Sequence, residues 1–482
     1  MVDNDWIRND RARTDPSSRA LRMKIYLSIA VLLVGGVTTA LIHNVGTGAT
    51  LYQAEGIVVD FGDYLTYWSD IDYEETEDPK EMLDICCGLN NITYTADESG
   101  IPTSVTGLYY DGTTEWTRSN TDTASWGLWL IDKGSNSFYK SQRIDVDASD
   151  YKVVAWAYVE DGEEPTVSLD ATGNSIYGYS GSTGIVTLSP VCTEIVGAMR
   201  ASSSIVGTDM YSDYPSAVRN GKNSGIIKEV GTYTDPSYES IVDLNPDLVI
   251  CDGAQYSHVK MANTLRNSNI NAVVINNGDD IETVLNNIYI VACAMGYNLR
   301  GCQVNDIITK DIEQVRSLME GRASPSDTVM VTLGTDASPY AASTATYIGD
   351  ILEMLGWTNV VSGTVSAWPQ VISSKILDWN PSVMIVIDNG KYTEDDYDTM
   401  LSNLPAVWKQ TAAYGDGSDP HIYLISEDAA SMAQRYSPRI AQLTEIIARM
   451  LDSDAFGSSQ MYAVGDDYQD LLTITADAGF DQ

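Results

Sequence analysis

Residues 240–250 read Ser-Ile-Val-Asp-Leu-Asn-Pro-Asp-Leu-Val-Ile, and residues 375–385 read Lys-Ile-Leu-Asp-Trp-Asn-Pro-Ser-Val-Met-Ile. Proline disfavours the helical region for the residue before it. Each copy therefore predicts a short helix, a stop at Asn-Pro and a buried strand. Val186-Thr187-Leu188 and Val331-Thr332-Leu333 precede the two copies in the same way. Around them, short β-branched runs alternate with helical patterns. Strands are expected at 185–188, 248–251, 272–275, 328–333, 383–387 and 422–425. Helices are expected at 280–295, 303–319 and 438–451. Alternation of this kind argues for parallel sheets covered by helices. The expected fold class is thus α/β, with two similar lobes joined through the helix at 303–319, whose Val304, Ile308, Ile312, Val315 and Met319 share one face.

Composition narrows the function. With 28 Lys+Arg against 67 Asp+Glu, the 482-residue chain carries a net charge of −39. Such a chain is a poor wrapper of nucleic acid, and none is expected as a partner. An apolar content of 44% is enough for more than one core. Six Cys are too sparse for a disulfide scaffold, and three His argue against a multi-metal centre. His43, His258 and His421 stand apart from one another. Adjacent Cys86 and Cys87 lack a nearby His or a CxxC partner, so no metal site is expected. Cys192 and Cys293 read as small core residues. The stretch 219–224 lacks phosphate-loop spacing, and there is no nucleophile elbow or GxGxxG. No catalytic residue is expected, and the chain is not read as an enzyme.

Residues 25–42 (IYLSIAVLLVGGVTTALI) are free of charge and, as a helix, about 27 Å long. Arg8, Arg11, Arg13, Arg19, Arg22 and Lys24 precede them, and the next basic residue is Lys80. The positive-inside bias predicts a cytoplasmic tail at 1–24, a single-pass signal-anchor at 25–42 and the bulk of the chain outside the cell membrane. A cleaved signal peptide is the alternative. Asn91-Ile92-Thr93 then becomes a candidate glycosylation acceptor.

Residues 56–158 predict a small α+β unit, β-grasp-like, with two strands, a helix and several further strands. Asp78 is the expected N-cap, Pro79 the first helical residue, and Glu81 the residue reaching back. Met82, Ile85, Cys86 and Leu89 are the expected apolar face. The polar stretch 159–183 reads as a linker or a loose crossing. The remaining divisions are a first lobe at 184–300, the bridging helix at 301–322, a second lobe at 323–452 and an acidic tail at 453–482.

Four motifs, GIVTLSPVCTEIVGAM (184–199), VGTDMYSDYP (206–215), VGTYTDPSYESIVDLNPDLVICDG (230–253) and YIGDILEMLGWTNVV (347–361), resemble the substrate-binding proteins of iron-siderophore, haem and cobalamin ABC importers, the helical-backbone class III type. The resemblance spans about 183–452. It implies two Rossmann-like lobes on one long helix, a ligand held between them, little lobe closure and permease subunits as partners. The ligand implied is a metal chelate, a cobalt corrinoid first and a ferric siderophore or haem next, with no resident cofactor. Loops at the carboxyl ends of parallel strands face the crevice in such sheets. The ligand-binding candidates are Ser189, Pro190, Asp209, Tyr211, Tyr214, Tyr233, Asp252, Tyr256, Tyr340 and Trp368. Large amphipathic rings suit a flat chelate, and the chain has 29 Tyr and 10 Trp but only 4 Phe. In the family a surface glutamate on each lobe docks to the permease. Glu239 occupies that place in the first lobe, whereas Ser374, followed by Lys375, stands in the second. A scaffold or adhesion protein that has kept the fold without transport is the alternative. EMLDICCGLNNITYT and WGLWLIDKG in the small unit resemble the β-domain that caps cobalamin in transcobalamin and intrinsic factor.

Overall fold

The computed structural model describes residues 54–179, 183–324, 326–388 and 390–475. The expected tail at 1–24 and the membrane segment at 25–42 lie outside the described residues. Among the described residues, no helix is long and apolar enough to cross a membrane. The chain forms two compact units divided at Asp311 and Ile312, inside the helix Asn298–Met319.

The first unit begins with β1 (Gly56–Asp60), β2 (Thr66–Asp70), the helix Pro79–Asn90, β3 (Thr93–Ala96), β4 (Pro102–Leu108), β5 (Glu115–Ser119), β6 (Ala124–Asp132), β7 (Tyr139–Lys140) and β8 (Tyr151–Glu160). One sheet runs β2-β1-β8-β6-β7 and a second β3-β4-β5. The central pair β1 and β8 is parallel, and each is flanked by an antiparallel neighbour. The helix packs on this sheet, and Trp156 Nε1 donates to Pro79 O at 2.9 Å, which ties the helix start to β8.

Two local expectations for this helix are corrected. Asp78 is the N-cap and accepts from Lys80 N, but Glu81 accepts from Thr76 Oγ1 and does not reach back to Asp78. The buried residues are Met82, Leu83, Cys86 and Cys87, whereas Ile85 and Leu89 are 36% and 66% exposed. The helix meets its sheet through a sector rotated from the expected one. The second strand starts only at Thr66, because Tyr64 has φ 63 and lies in the turn before β2.

The stretch 159–183 is not slack where it is described. Leu169, Ile176, Tyr177 and Tyr179 are buried. Asp170 forms a buried ion pair with Arg266 at 2.5 Å, and Ala171 N bonds to Val274 O. Its other end is fixed to the small domain, since Thr166 donates through N and Oγ1 to Asp60 at 2.7 and 2.9 Å. Burial pushes the Asp60 carboxyl up to about 6, against the N–H groups of Gly62 and Thr166 that pull it down. Trp68 stacks on Tyr177 with ring centroids 4.7 Å apart.

The first lobe continues with β9 (Ile185–Thr187), β10 (Ile205–Thr208), β11 (Lys228–Glu229), β12 (Leu248–Asp252) and β13 (Ala272–Ile275). They form a parallel sheet in the order β11-β10-β9-β12-β13. The helices Pro190–Ala198, Tyr256–Arg266 and Ile281–Ala294 pack with it. The small domain sits on this lobe. Tyr64 and Thr66 bond to Asn286 and Tyr289 of the 281–294 helix. Tyr110 donates to Asp306 at 2.6 Å, and Cys302 joins the small domain's own core.

The second unit contains β14 (Thr328–Leu333), β15 (Tyr340–Ala341), β16 (Thr358–Asn359), β17 (Val383–Ile387), β18 (Ile422–Ile425) and β19 (Ala463–Val464). The order is β15-β14-β17-β18-β19, with β16 paired to β14. Among the described strands of this sheet the β14–β15 pairing is antiparallel and the others are parallel. The expected tail at 453–482 is corrected through Thr475. It supplies β19, and Tyr468, Leu472 and Thr475 are buried.

The Asn-Pro stops behave alike in both lobes. Asn245 and Asn380 each have φ 46, a left-handed conformation that asparagine tolerates. Each follows a short helix, Tyr238–Val242 or Ser373–Trp379, and precedes β12 or β17.

Candidate functional site

In the first lobe the carboxyl ends of β9, β10 and β12 lie side by side, because these strands are parallel neighbours. Ser189 follows β9 and is the N-cap of the helix Pro190–Ala198, accepting from Cys192 N. Pro190 is half-buried at the first position of that helix. A ladder of buried hydroxyls lies behind them. Thr187 Oγ1 meets Thr193 Oγ1 at 2.7 Å and Thr208 Oγ1 at 2.9 Å, and Thr193 reaches Ser212 at 2.7 Å.

The loop after β10 carries Asp209, Tyr211 and Tyr214. Asp209 is buried and accepts from Tyr211 N at 2.8 Å and from Ser212 Oγ. Tyr211 and Tyr214 are half-buried. Burial and the adjacent Asp209 carboxylate push the Tyr211 phenol above its ordinary value. A residue that sequence reasoning missed fixes this loop. Lys222 Nζ donates to the carbonyls of Asp209, Met210 and Ser212 at 3.1, 2.8 and 3.0 Å, and Glu229 lies 3.5 Å away. The signal was a cation near the end of an otherwise polar helix, Ser216–Asn223, which alone does not reveal the carbonyls of a preceding loop.

Tyr233, Asp252 and His258 form a second buried group. Tyr233 OH donates to Asp252 Oδ2 at 3.2 Å. His258 Nδ1 accepts from Asp252 N at 3.2 Å, and its Nε2 lies 2.6 Å from Tyr233 O. An accepting Nδ1 requires the proton on Nε2, so the ring is neutral and donates to the Tyr233 carbonyl. Burial holds His258 below the ordinary imidazole range, against the pull of Asp252. His258 thus pins the Tyr233 loop to the end of β12. Tyr256 behaves differently: it opens the helix Tyr256–Arg266 and is 46% exposed.

The expected set therefore divides. Ser189, Asp209, Tyr233 and Asp252 are buried, with hydrogen-bond partners inside their own lobe, and they shape the loops. Pro190, Tyr211, Tyr214 and Tyr256 keep accessible surface at the same sheet edge.

In the second lobe, Tyr340 is half-buried in β15 opposite Leu333, and Trp368 is buried. Asp388, just after β17, was also missed. Its Oδ1 accepts from the N–H groups of Gly390, Lys391 and Tyr392 at 3.0, 2.6 and 2.8 Å. Burial still leaves its carboxyl above the ordinary value. Lys391 Nζ donates to Thr335 Oγ1 at 3.2 Å, linking the carboxyl ends of β17 and β14.

Glu239 is exposed in the first turn of the Tyr238–Val242 helix. Ser374 and Lys375 are exposed in the matching helix of the second lobe. Among the described residues, no three His, Cys, Asp or Glu side chains gather so as to hold a metal ion.

A family model described as periplasmic binding protein matches residues 185–418. The chain is 20% identical over 274 residues to the uncharacterized ABC transporter substrate-binding lipoprotein YvrC of Bacillus subtilis (strain 168), covering 56% of this chain and 81% of that one. It is 24% identical over 207 residues to the vitamin B12-binding protein of Pectobacterium carotovorum subsp. carotovorum (strain PC1), covering 42% and 70%. Among solved structures, the apo periplasmic heme-binding protein RhuT from Roseiflexus sp. RS-1 is 22% identical, with a TM-score of 0.47 over 57% of this chain and 100% of that one. Through residues 185–418, a little under half of its length, this chain is similar to the periplasmic binding protein family.

Proposed function

We propose that the chain is the extracytoplasmic substrate-binding protein of an ABC importer for a metal-chelate ligand, and is not an enzyme. The observation that carries this reading is the family match over 185–418, together with relatives named for ABC transport and vitamin B12 binding. A cobalt corrinoid ranks first, ahead of a ferric siderophore or haem, because the small domain's motifs resemble a cobalamin cap. The ligand-contacting residues are Pro190, Tyr211, Tyr214 and Tyr256 on the first lobe, where Ser189, Asp209, Tyr233 and Asp252 hold the surface in place; on the second lobe the candidates are Tyr340 and Trp368. Tyr211 and Tyr214, partly exposed on a loop tied down by Lys222, favour this reading, since a site ordered in advance limits the entropy lost on binding. Glu239 docks to the permease, and residues 25–42 tether the chain to the membrane.

The test is titration of the full chain with cyanocobalamin, haemin and a ferric siderophore, followed by Trp fluorescence. Saturable quenching by one class is expected, with Tyr211→Ala and Tyr256→Ala each weakening it about tenfold, the equivalent of roughly 1.4 kcal/mol of aromatic contact. No saturable response to any of the three would remove the reading.

Ser374 and Lys375 in place of a second docking glutamate favour one other reading, a surface scaffold that has kept the fold without transport.

A further inference from the structure

The chain contains one Asn-X-Ser/Thr triplet in which X is not proline, Asn91-Ile92-Thr93. The similar Asn380-Pro381-Ser382 is barred by its proline. The structure sets the three residues of the first triplet in contrasting environments. Asn91 is exposed and ends the helix Pro79–Asn90 in the left-handed region, φ 56 and ψ 37, with its N–H on Cys87 O. Ile92 is buried, and its N–H bonds to the same carbonyl at 2.9 Å. Thr93 is exposed as the first residue of β3. The middle residue therefore anchors the turn in the core, while the amide and the hydroxyl at its two ends stand in solvent.

The neighbouring asparagine sharpens the point. Asn90 Nδ2 is engaged, donating to Ser69 Oγ at 3.1 Å and to Cys86 O at 2.9 Å. Among the described residues, the Asn91 carboxamide has no hydrogen-bond partner. Of two adjacent asparagines, the one inside the triplet is the one whose side chain is left to react.

The surroundings suit a sugar. On the face of the β3-β4-β5 sheet that carries Thr93, the register sets Thr93, Thr106 and Thr117 in one row and Thr95, Ser104 and Ser119 in the next. Thr106 and Thr117 are bonded at 2.7 Å, as are Ser104 and Ser119. A glycan rooted at this corner would lie along hydroxyl groups. Ile85 and Leu89 of the helix that Asn91 ends are exposed apolar residues.

We propose that Asn91 is an N-glycosylation site. The proposal rests on the extracytoplasmic placement put forward above. The donor class is a polyprenyl-phosphate-linked oligosaccharide, used by a membrane-bound glycosyltransferase. Asn91 Nδ2 attacks C1 of the reducing-end sugar, and a C–N bond forms. The C1–O bond to phosphate breaks, and the lipid phosphate leaves with the bonding pair. The proton lost from Nδ2 passes to a base of the transferase. The Thr93 hydroxyl is the recognition element two residues on.

The test uses the full chain from its native source. Trypsin releases residues 81–118 as one peptide, bounded by Lys80 and Arg118. Mass spectrometry is expected to show this peptide carrying added hexose or hexosamine mass. Asn91→Gln and Thr93→Val should abolish the addition, and Thr93→Ser should retain it. Protease added to intact cells reports the placement separately. A chain that is digested from outside, yet gives the unmodified peptide, overturns the glycan and leaves the importer reading standing. A chain that resists digestion until cells are lysed overturns both. Sugar that persists on the peptide in the Asn91→Gln variant overturns Asn91 as the acceptor.

Discussion

Asp170 shows how much a single buried side chain organises. Its Oδ1 accepts from Thr172 N and Asn174 N at 2.9 and 3.0 Å, and its Oδ2 from Val274 N at 3.0 Å and Arg266 at 2.5 Å. Arg266 in turn donates to Ala272 O. The pair closes the 165–179 segment against the edge of the first lobe's sheet. Removing one partner of a buried pair strands the other charge, at a cost of about 3–5 kcal/mol. Arg266→Met is expected to destabilise the first unit by that amount, read as a fall in the urea midpoint of Trp fluorescence. A shift below about 1 kcal/mol, the scale of an exposed pair, would contradict this account. None of this is visible in a polar stretch read alone, because Arg266 and Val274 lie 96 and 104 residues away.

Elements were legible where one periodicity settles the matter. On the helix Asn298–Met319, Val304, Ile308, Ile312, Val315 and Met319 are all buried, as their spacing predicts. The helix Pro79–Asn90 has apolar residues in two overlapping sectors, so spacing offered two faces and the sheet chose one. The segment after Asp452 was misread for a different reason. Its fastening is backbone donation, which composition does not encode. Glu445 is fully buried and accepts from the N–H groups of Thr473, Ile474 and Thr475 at 2.8, 3.1 and 2.9 Å. Burial pushes its carboxyl upward, but the N–H groups of Thr473 and Thr475 and the Arg449 guanidinium outweigh this and hold it below the ordinary value. A chain ending at Leu472 loses those donors and keeps Arg449 alone. Hydrogen bonds to a charged group contribute about 1.5–3 kcal/mol each and are not additive. A loss of roughly 3–5 kcal/mol in the second unit is expected, seen as a lower Tm by calorimetry. An unchanged Tm would mean that the segment does not latch.

At the scale of the whole molecule, the small domain and the first lobe are joined side by side and share side chains. Cys302 and Leu299, at the start of the long helix, pack into the small domain's core. Thr66, Tyr177 and Tyr289 meet through their hydroxyls where the two parts join. Deleting residues 54–160 would uncover Tyr177 and Tyr289, both fully buried, and leave the Tyr289 hydroxyl without Thr66. Burying a large side chain contributes roughly 1.5–3 kcal/mol. The truncated first lobe is therefore expected to melt well below the intact chain and to bind a dye specific for exposed apolar surface. A truncated chain with the Tm of the intact one would show the small domain to be a separable module.

Hydrophobic period and the Asn-Pro stops, both local properties, by themselves determined two α/β lobes, their parallel strands and the buried stripe of the long helix. Only the tertiary structure decided which candidate residues keep their surface. Tyr233 and Tyr256 both lie near the carboxyl end of β12, yet one is enclosed and the other is open. The difference comes from His258 and Asp252 gripping the Tyr233 loop. Such a grip is a hydrogen bond between distant segments, and its direction is set only once the sheet has brought them together.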